Sequence, residues 1–202
     1  MKIKICGICD SKTLQYACEM EVDFVGFIMV NGSPRKISSE FLSYLEDFNF
    51  KNTTPVFVFV NPDIGEVKKI IRNIPNSILQ FHGDESNHFC KQFNQPFWKT
   101  VRVQNAKSFE QINDFPSANA ILLEAFSNDS YGGTGKTFAW SLLDKISLEK
   151  NFVLAGGINI ENIRQAISLH PWCIDVNSGV ESSLAIKDKI LMGQLLDIFK
   201  NG

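Results

Sequence analysis

Short apolar segments, rich in branched and aromatic residues, recur along the whole chain of 202 residues at intervals of roughly 20 to 32 residues. Such an interval accommodates one strand, one helix and two loops. Eight segments follow this rule: KIKIC (2–6), FVGFIM (24–29), PVFVFV (55–60), ILQFH (78–82), WKTVRV (98–103), AILLE (120–124), FVLAG (152–156) and CIDVN (173–177). The spacing therefore predicts strands that alternate with helices.

Helical patterns lie between several of these segments. Apolar residues spaced by three and four predict helices at FLSYLEDF (41–48), IGEVKKIIRNI (64–74), ENIRQAISL (161–169) and KDKILMGQLLDIF (187–199). Asn61-Pro62-Asp63 and Asn159 are typical helix-start signals. Because nothing resembles a linker, we expect residues 1–202 to form one domain.

Eight strand–helix units predict an α/β fold of the closed parallel (βα)8 type, the TIM barrel. An open doubly wound sheet is the alternative. That fold usually has fewer strands and carries an early glycine-rich dinucleotide loop, and the sequence contains no G-x-G-x-x-G. The barrel is therefore the favoured architecture.

The alternation of side chains along each strand predicts which residues face the barrel interior. On the first strand, Lys4 and Cys6 oppose two isoleucines, and later strands end in His82, Glu124 and Asp175 on the face opposite their apolar residues. The carboxyl ends of the strands form the active-site face of such barrels. We expect these polar groups to converge there, and Lys4 to require a carboxylate partner because a lone buried ammonium is costly.

Composition disfavours several classes of function. The formal net charge of −2 is unlike the basic stripe of a nucleic-acid-binding protein. No apolar run approaches the roughly 20 residues of a membrane helix, and the start MKIKIC shows no signal peptide. Five irregularly spaced cysteines indicate free thiols in a reducing cytosol. We expect a cytoplasmic protein with neither nucleic acid nor membrane as a partner.

Several long motifs closely resemble the phosphoribosylanthranilate isomerase family, in chain order from residue 2 to about residue 192. They are KICGI (4–8), GFIMVNGSPRKIS (26–38), VFVFVN (56–61), LQFHGDE (79–85), LLEAFSNDSYGGTGKTFAW (122–140), LAGGINIENI (154–163) and DVNSGVESSLAIKDKI (175–190). The resemblance implies a (βα)8 barrel without cofactor or metal. It also implies a step of tryptophan biosynthesis, the Amadori rearrangement of N-(5'-phosphoribosyl)anthranilate to 1-(2-carboxyphenylamino)-1-deoxyribulose 5-phosphate.

This rearrangement needs an acid that protonates the furanose ring oxygen as the ring opens to an iminium. It also needs a base that removes the proton from C2'. Cys6 matches the catalytic cysteine of the family and is the expected base, since a nearby cation or a helix N-terminus can lower the pKa of a thiol. Cys9 completes a C-x-x-C, but no second cysteine or histidine pair follows at zinc spacing.

Glu124 occupies the place of the general acid, where the sequence departs from the family pattern. The family has an aspartate after two leucines at the end of the sixth strand, and here the run is Leu122-Leu123-Glu124. Glutamate has the same functional group on a longer stem, and a misplacement of about 1 Å can cost about a hundredfold in rate. Glu124 is the expected acid, and Asp129 in the following loop is the alternative.

Residues that bind the substrate phosphate are expected on three loops. Gly156 and Gly157 follow strand seven, while Ser178 and Gly179 follow strand eight. Barrels often bind phosphate between these two loops, with backbone N–H groups as donors. The resemblance places Gly133, in the loop after strand six, on the phosphate side as well.

Three further side chains are candidates to contact the parts of the substrate other than its phosphate. Arg35 matches the arginine that holds the anthranilate carboxylate in the family, a role that suits a planar guanidinium. Asp175 is a candidate to accept a hydrogen bond from the substrate amine or to pair with Lys4. His82 is a candidate to polarise a neighbouring group or to fill the mouth of the barrel.

Three alternatives compete with this interpretation. An isomerase of the histidine pathway would use paired aspartates rather than a thiol. Indole-glycerol-phosphate synthase would need an essential lysine and glutamates that have no evident counterparts here. A catalytically silent or weak phosphate-binding barrel is favoured only by the glutamate at position 124. The expected assembly is a monomer or a homodimer.

Overall fold

Eight parallel strands, paired in sequence order and closed by the pairing of the first with the last, form a barrel. The computed structural model describes residues 1–126, 137–145 and 150–201. The barrel strands are β1 (Lys2–Cys6), β2 (Phe24–Ile28), β3 (Thr54–Phe59), β4 (Ile78–Phe81), β5 (Phe97–Val103), β6 (Ala120–Ala125), β7 (Phe152–Leu154) and β8 (Cys173–Val176). Each predicted apolar segment overlaps one of them, and the (βα)8 prediction is confirmed.

Helices connect most of the strands. They are α1 (Ser11–Glu19), α2 (Ser39–Glu46), α3 (Ile64–Asn73), α4 (Asn87–Lys91), α5 (Ile163–Ser168) and α6 (Lys189–Asn201). After β5 and β6 the described connections are instead the 3-10 helices Ala106–Asp114 and Trp140–Lys145. A hairpin of β9 (Glu181–Ser183) and β10 (Ile186–Lys187) follows β8.

Of the two predicted helix-start signals, the first was right and the second was wrong. Asp63 is the N-cap of α3, where its backbone N–H donates to the Glu66 carboxylate at 3.2 Å. Asn159 instead begins a turn, and α5 has its N-cap at Asn162. The helix predicted from residue 187 starts at Lys189, because Lys187 belongs to the hairpin.

The strand parity divides the core as predicted. Outward-facing Ile3, Ile5, Leu123 and Val176 belong to the apolar layer under the helices. A second apolar cluster fills the amino-terminal half of the interior, where Trp98 packs edge to face on Phe24 with ring centroids 4.9 Å apart. This plug leaves the carboxyl end of the barrel for polar side chains.

Two expectations from composition concern the whole chain. All five cysteines are free thiols, as predicted. In the part of the chain that the structure describes, no helix has both the length and the apolarity needed to cross a membrane.

Candidate active site

A cavity of about 310 Å³ opens at the carboxyl ends of the strands. Its wall contains most of the predicted site residues, namely Cys6, Arg35, His82, Glu124, Gly156, Gly157, Asp175 and Ser178. They come from six strands or the loops that follow them, so the barrel closure brings together residues that are far apart in sequence. Gly179 directly follows the lining residue Ser178, while Gly133 and Asp129 lie outside the described residues.

Cys6 ends β1 and lies next to Gly26 of β2, with which it is in register. The residue is 5% exposed and its side chain reaches the cavity. Burial raises the pKa of the Cys6 thiol above its ordinary value, although the Lys4 ammonium acts in the opposite direction. The expected neighbouring cation is therefore present, but its effect on the pKa of Cys6 does not outweigh that of desolvation.

Glycine at position 26 makes room for the thiol. A Cβ atom there would lie 2.6 Å from Cys6 Sγ and 3.0 Å from both the Cys6 backbone and Lys4 Cε. Any side chain at position 26 would therefore push the sulfur or the strand out of place. This requirement depends on the register of β1 with β2, which the sequence does not reveal.

We expect Gly26→Ala to lower kcat about a hundredfold, because a displacement of about 1 Å at a reacting group has roughly that cost. The matched control is Gly65→Ala in α3, where nothing lies within 4 Å of the added methyl group. Steady-state kinetics and thermal unfolding would be measured for both. An alanine at position 26 with wild-type kcat and Tm would contradict the close packing around the thiol.

Lys4 is fully buried and has the carboxylate partner that the sequence predicts. Its Nζ donates to Asp175 Oδ2 at 2.9 Å and to Gln80 Oε1 at 2.9 Å. Although burial lowers the pKa of Lys4, the Asp175 carboxylate and the Cys6 thiol raise it above its ordinary value overall. Lys4 therefore remains a cation beneath the site, and Asp175 takes the pairing role proposed for it.

Glu124 comes from the penultimate position of β6 and contacts His82, which directly follows β4. Glu124 Oε2 lies 2.8 Å from His82 Nε2, and both residues are less than a tenth exposed. The longer stem of glutamate thus brings its carboxyl group to the imidazole. Of the two roles proposed for His82, contact with a neighbouring group fits this geometry better than merely filling the mouth.

The two glycine-containing loops are joined. Asn159 and Gly179 form a parallel bridge, and a Cβ atom at Gly179 would collide with the Ile158 carbonyl oxygen. Gly156 and Gly157 have φ of 88° and 64°, values that favour glycine. The backbone of strands seven and eight therefore forms one continuous rim of the cavity.

Arg35 is held by a carboxylate that sequence reasoning did not include. Its Nε and Nη2 donate to the two oxygens of Glu181 at 2.7 and 2.8 Å. Lys187 Nζ also donates to Glu181, at 2.8 Å, and to Asn177. Although burial acts against it, hydrogen bonds from Arg35 and Lys187 lower the pKa of Glu181 to about 2.

This cluster contains two cations and one anion, so it keeps a net positive charge beside the cavity. The motif that suggested the phosphate loop also contains Glu181 and Lys187, but only the folded hairpin of β9 and β10 brings them to Arg35. The sequence therefore showed the opposite charges of Glu181 and Lys187 within one motif, but it did not identify Arg35 as the partner of Glu181.

Cys9 does not complete a site with Cys6. Its sulfur lies 3.5 Å from the Gly7 carbonyl oxygen and 3.4 Å from the Arg35 carbonyl oxygen, within reach of weak S–H donation. Among the described residues, no group of three or more His, Cys, Asp or Glu side chains is arranged to hold a metal ion. The C-x-x-C therefore has no visible metal-binding partner set in the described part of the chain.

Comparisons with known proteins identify the family of this barrel. The family model described as N-(5'phosphoribosyl)anthranilate (PRA) isomerase matches residues 3–197. An N-(5'-phosphoribosyl)anthranilate isomerase from Legionella pneumophila (strain Paris) is 39% identical over 198 residues, which cover 97% of this chain and 95% of the relative.

Solved structures agree with this match. The crystal structure of phosphoribosyl anthranilate isomerase from Thermotoga maritima superposes with a TM-score of 0.87 at 30% identity and full coverage of both chains. A phosphoribosyl anthranilate isomerase in complex with reduced 1-(o-carboxyphenylamino)-1-deoxyribulose 5-phosphate has a TM-score of 0.83 at 28% identity, again over both whole chains. None of these matches supports the alternative of a silent barrel. Sequence, architecture and cavity thus lead to one assignment: the chain belongs to the N-(5'-phosphoribosyl)anthranilate isomerase family.

Proposed function

We propose that this chain converts N-(5'-phosphoribosyl)anthranilate to 1-(2-carboxyphenylamino)-1-deoxyribulose 5-phosphate, with Cys6 as base and Glu124 as acid. The observation that carries this proposal is the shared cavity. A thiol from β1 and a carboxyl group from β6 line it together with the glycine-containing rim of strands seven and eight. Acid, base and phosphate handle are the three components that the rearrangement requires.

The substrate phosphate would bind the rim formed by Gly156, Gly157 and Ser178. Backbone N–H groups of glycine-containing turns suit an anion because they offer donors without a side chain in the way. The phosphate would fix one end of the sugar, so that the ring oxygen and C2' lie between the acid and the base. Such positioning supplies much of the rate of a reaction with no cofactor.

The acid step is assigned to Glu124. The carboxyl group donates its proton to the furanose ring oxygen while the bond from that oxygen to C1' breaks, which leaves an iminium between C1' and the anthranilate nitrogen. The carboxylate that results lies 2.8 Å from His82 Nε2, where an N–H donor would stabilise the new charge.

The base step is assigned to Cys6. The iminium withdraws electrons from C1' and acidifies the C2' proton, which the thiolate removes to give an enolamine. The enolamine then tautomerises to the aminoketone. C1' gains a proton from the Cys6 thiol and the C2' hydroxyl loses one to the Glu124 carboxylate, so both groups return to their starting forms and no atom is gained or lost overall. Lys4 supplies positive charge for the thiolate, since it lowers the pKa of Cys6 against the effect of burial.

The substrate carboxylate would bind beside Arg35. Glu181 occupies Nε and Nη2 of that guanidinium, so the anthranilate carboxylate would approach another donor, Nη1. The net positive charge of Arg35, Glu181 and Lys187 favours such an anion. The pairing of Arg35 with Glu181 orients the guanidinium before the substrate arrives.

Asp175 has one oxygen for Lys4 and one for the substrate. Its Oδ1 is buried and has no hydrogen-bond partner among the residues that the structure describes. A buried carboxylate oxygen without a donor is costly, and the anthranilate amine would supply one. Asp175 therefore fits both of the roles predicted for it.

The proposed function is tested by the fluorescence of phosphoribosylanthranilate, which disappears as the isomerisation proceeds. The wild-type protein is expected to consume the substrate with multiple turnovers and to yield the carboxyphenylamino deoxyribulose phosphate. A protein that binds the substrate without consuming it would instead support the silent barrel. The expected monomer or homodimer stays a prediction.

A further inference from the structure

A chain of buried hydrogen bonds runs from Lys4 through residues of the cavity wall and ends at the proposed acid. Lys4 bonds to Asp175 and to Gln80 Oε1 at 2.9 Å each, Gln80 Nε2 lies 3.3 Å from His82 Nδ1, and His82 Nε2 lies 2.8 Å from Glu124 Oε2. Each of the five residues is at most 9% exposed. Gln80 takes no part in the acid step or the base step, although its side chain connects Lys4 to His82.

The direction of the hydrogen bonds follows from Lys4. An ammonium group has donors and no acceptor, and Lys4 stays charged beside Asp175. The Gln80 atom that it contacts must therefore be the carbonyl oxygen. The other end of the same amide is then an NH₂ group, and it points at the imidazole of His82.

This direction determines the tautomer of His82. Because Gln80 Nε2 is a donor, His82 Nδ1 has to accept, and the single proton of the neutral ring lies on Nε2. His82 Nε2 then donates to Glu124 Oε2. With Oε2 as the acceptor, the proton of the neutral carboxyl group resides on Oε1. The opposite tautomer would draw the carboxyl proton from Oε2 toward the imidazole and away from a substrate.

We propose that Gln80 is a positioning residue of the acid step: it holds His82 in the tautomer with hydrogen on Nε2 and thereby keeps the transferable proton of Glu124 on Oε1. This inference rests on the acid role proposed for Glu124. It assigns Gln80 a function that packing alone would not require, since an apolar side chain of similar size would fill the same space.

The tautomer is measured directly by the ring ¹⁵N chemical shifts of protein labelled with ¹⁵N-histidine. The chain has three histidines, and His82→Asn identifies the signals of His82 by their loss. We expect wild type to show a protonated Nε2 and an unprotonated Nδ1 at neutral pH without any substrate. A wild-type ring protonated on Nδ1 would overturn the proposal.

Gln80→Glu replaces the NH₂ donor that faces His82 Nδ1 with an acceptor, while the size of the side chain stays nearly constant. A carboxylate at this position offers only acceptors, so we expect His82 Nδ1 to become protonated. The expected kinetic result is a fall in kcat of about 10- to 1000-fold, within the range of a misdirected proton transfer, with KM changed by less than about threefold. Gln80→Met removes both hydrogen bonds without offering His82 a new acceptor, and we expect a fall in kcat of about tenfold, at the lower end of that range.

Thr100→Val is the matched control on neighbouring strand β5. Thr100 is buried, and its hydroxyl has no partner in the described part of the chain. We expect this variant to retain wild-type kcat and the His82 tautomer. If wild type is active and Gln80→Glu keeps both the wild-type kcat and the wild-type tautomer of His82, the role of Gln80 is overturned while the proposed function stands. If Gln80→Glu fails to fold, unchanged kcat and tautomer in Gln80→Met would do the same, whereas a wild type without isomerase activity would overturn the proposed function.

Discussion

Replacing Cys6 with alanine is expected to lower kcat by about 10² to 10⁴, the usual contribution of a positioned acid or base. The reason is chemical rather than structural. Among the described residues of the cavity wall, Cys6 carries the only thiol, and alanine removes it while still fitting the space beside Gly26. Loss of phosphoribosylanthranilate fluorescence measures the rate, and thermal unfolding shows whether the barrel is intact.

Cys9→Ala is the matched control for this substitution. Within the described part of the chain, Cys9 forms hydrogen bonds only to backbone carbonyl oxygens, so we expect kcat within about twofold of wild type. A Cys6→Ala variant with near-normal turnover would dismiss the thiol as the base. A Cys9→Ala variant as impaired as Cys6→Ala would instead favour joint chemistry of the C-x-x-C.

The pH dependence of alkylation is an independent measurement of the pKa of the Cys6 thiol. Burial raises the pKa of this thiol, so the thiolate forms at higher pH than in an exposed cysteine. The rate of reaction with iodoacetamide should therefore continue to increase above the pH at which an ordinary thiol is fully ionised. Occupation of the cavity by a product analogue should protect the sulfur.

Glu124→Gln is expected to lower kcat by about 10² to 10⁴, because an amide cannot supply the proton that opens the sugar ring. Glu124→Asp keeps the acid but shortens the stem by about 1.3 Å. The 2.8 Å contact with His82 would then be lost unless the backbone moves, and we expect kcat to fall about 10- to 100-fold. The same fluorescence assay ranks wild type above aspartate and aspartate above glutamine.

Glu110→Gln is the control, since Glu110 is exposed on the 3-10 helix after β5 and should be neutral on substitution. Turnover by Glu124→Gln near the wild-type rate would remove Glu124 from the mechanism. An aspartate variant faster than wild type would show that glutamate weakens this acid, and that the site is not built around the longer side chain.

The barrel and the composition of its mouth were predictable because the signals are local. The alternation in β1 places Lys4 and Cys6 inward regardless of their neighbours, and the need of a buried ammonium for a carboxylate led to Asp175. Helix α1 was missed, since its buried face relies on small residues such as Ala17 and Cys18. Asp10 was an available signal, as its carboxylate accepts from the Thr13 N–H at 2.9 Å.

The contacts that tune the site depend on relations between strands. Gly26 matters because β2 is in register with Cys6, and Gln80 matters because β4 carries its amide between Lys4 and His82. Neither relation follows from a pattern within one segment. The ion pair of Arg35 with Glu181 likewise depends on the folding of the β9–β10 hairpin, which contains Glu181.

The most direct test of the central claim, that Cys6 and Glu124 act on one substrate across the cavity, is a crystal structure of this protein with reduced 1-(o-carboxyphenylamino)-1-deoxyribulose 5-phosphate. We expect its phosphate on the rim of Gly156, Gly157 and Ser178. Cys6 Sγ should lie within about 4 Å of C2', and the Glu124 carboxyl group within about 3.2 Å of the oxygen that comes from the opened ring. An analogue bound with either group turned away from these atoms would contradict the assignment of acid and base.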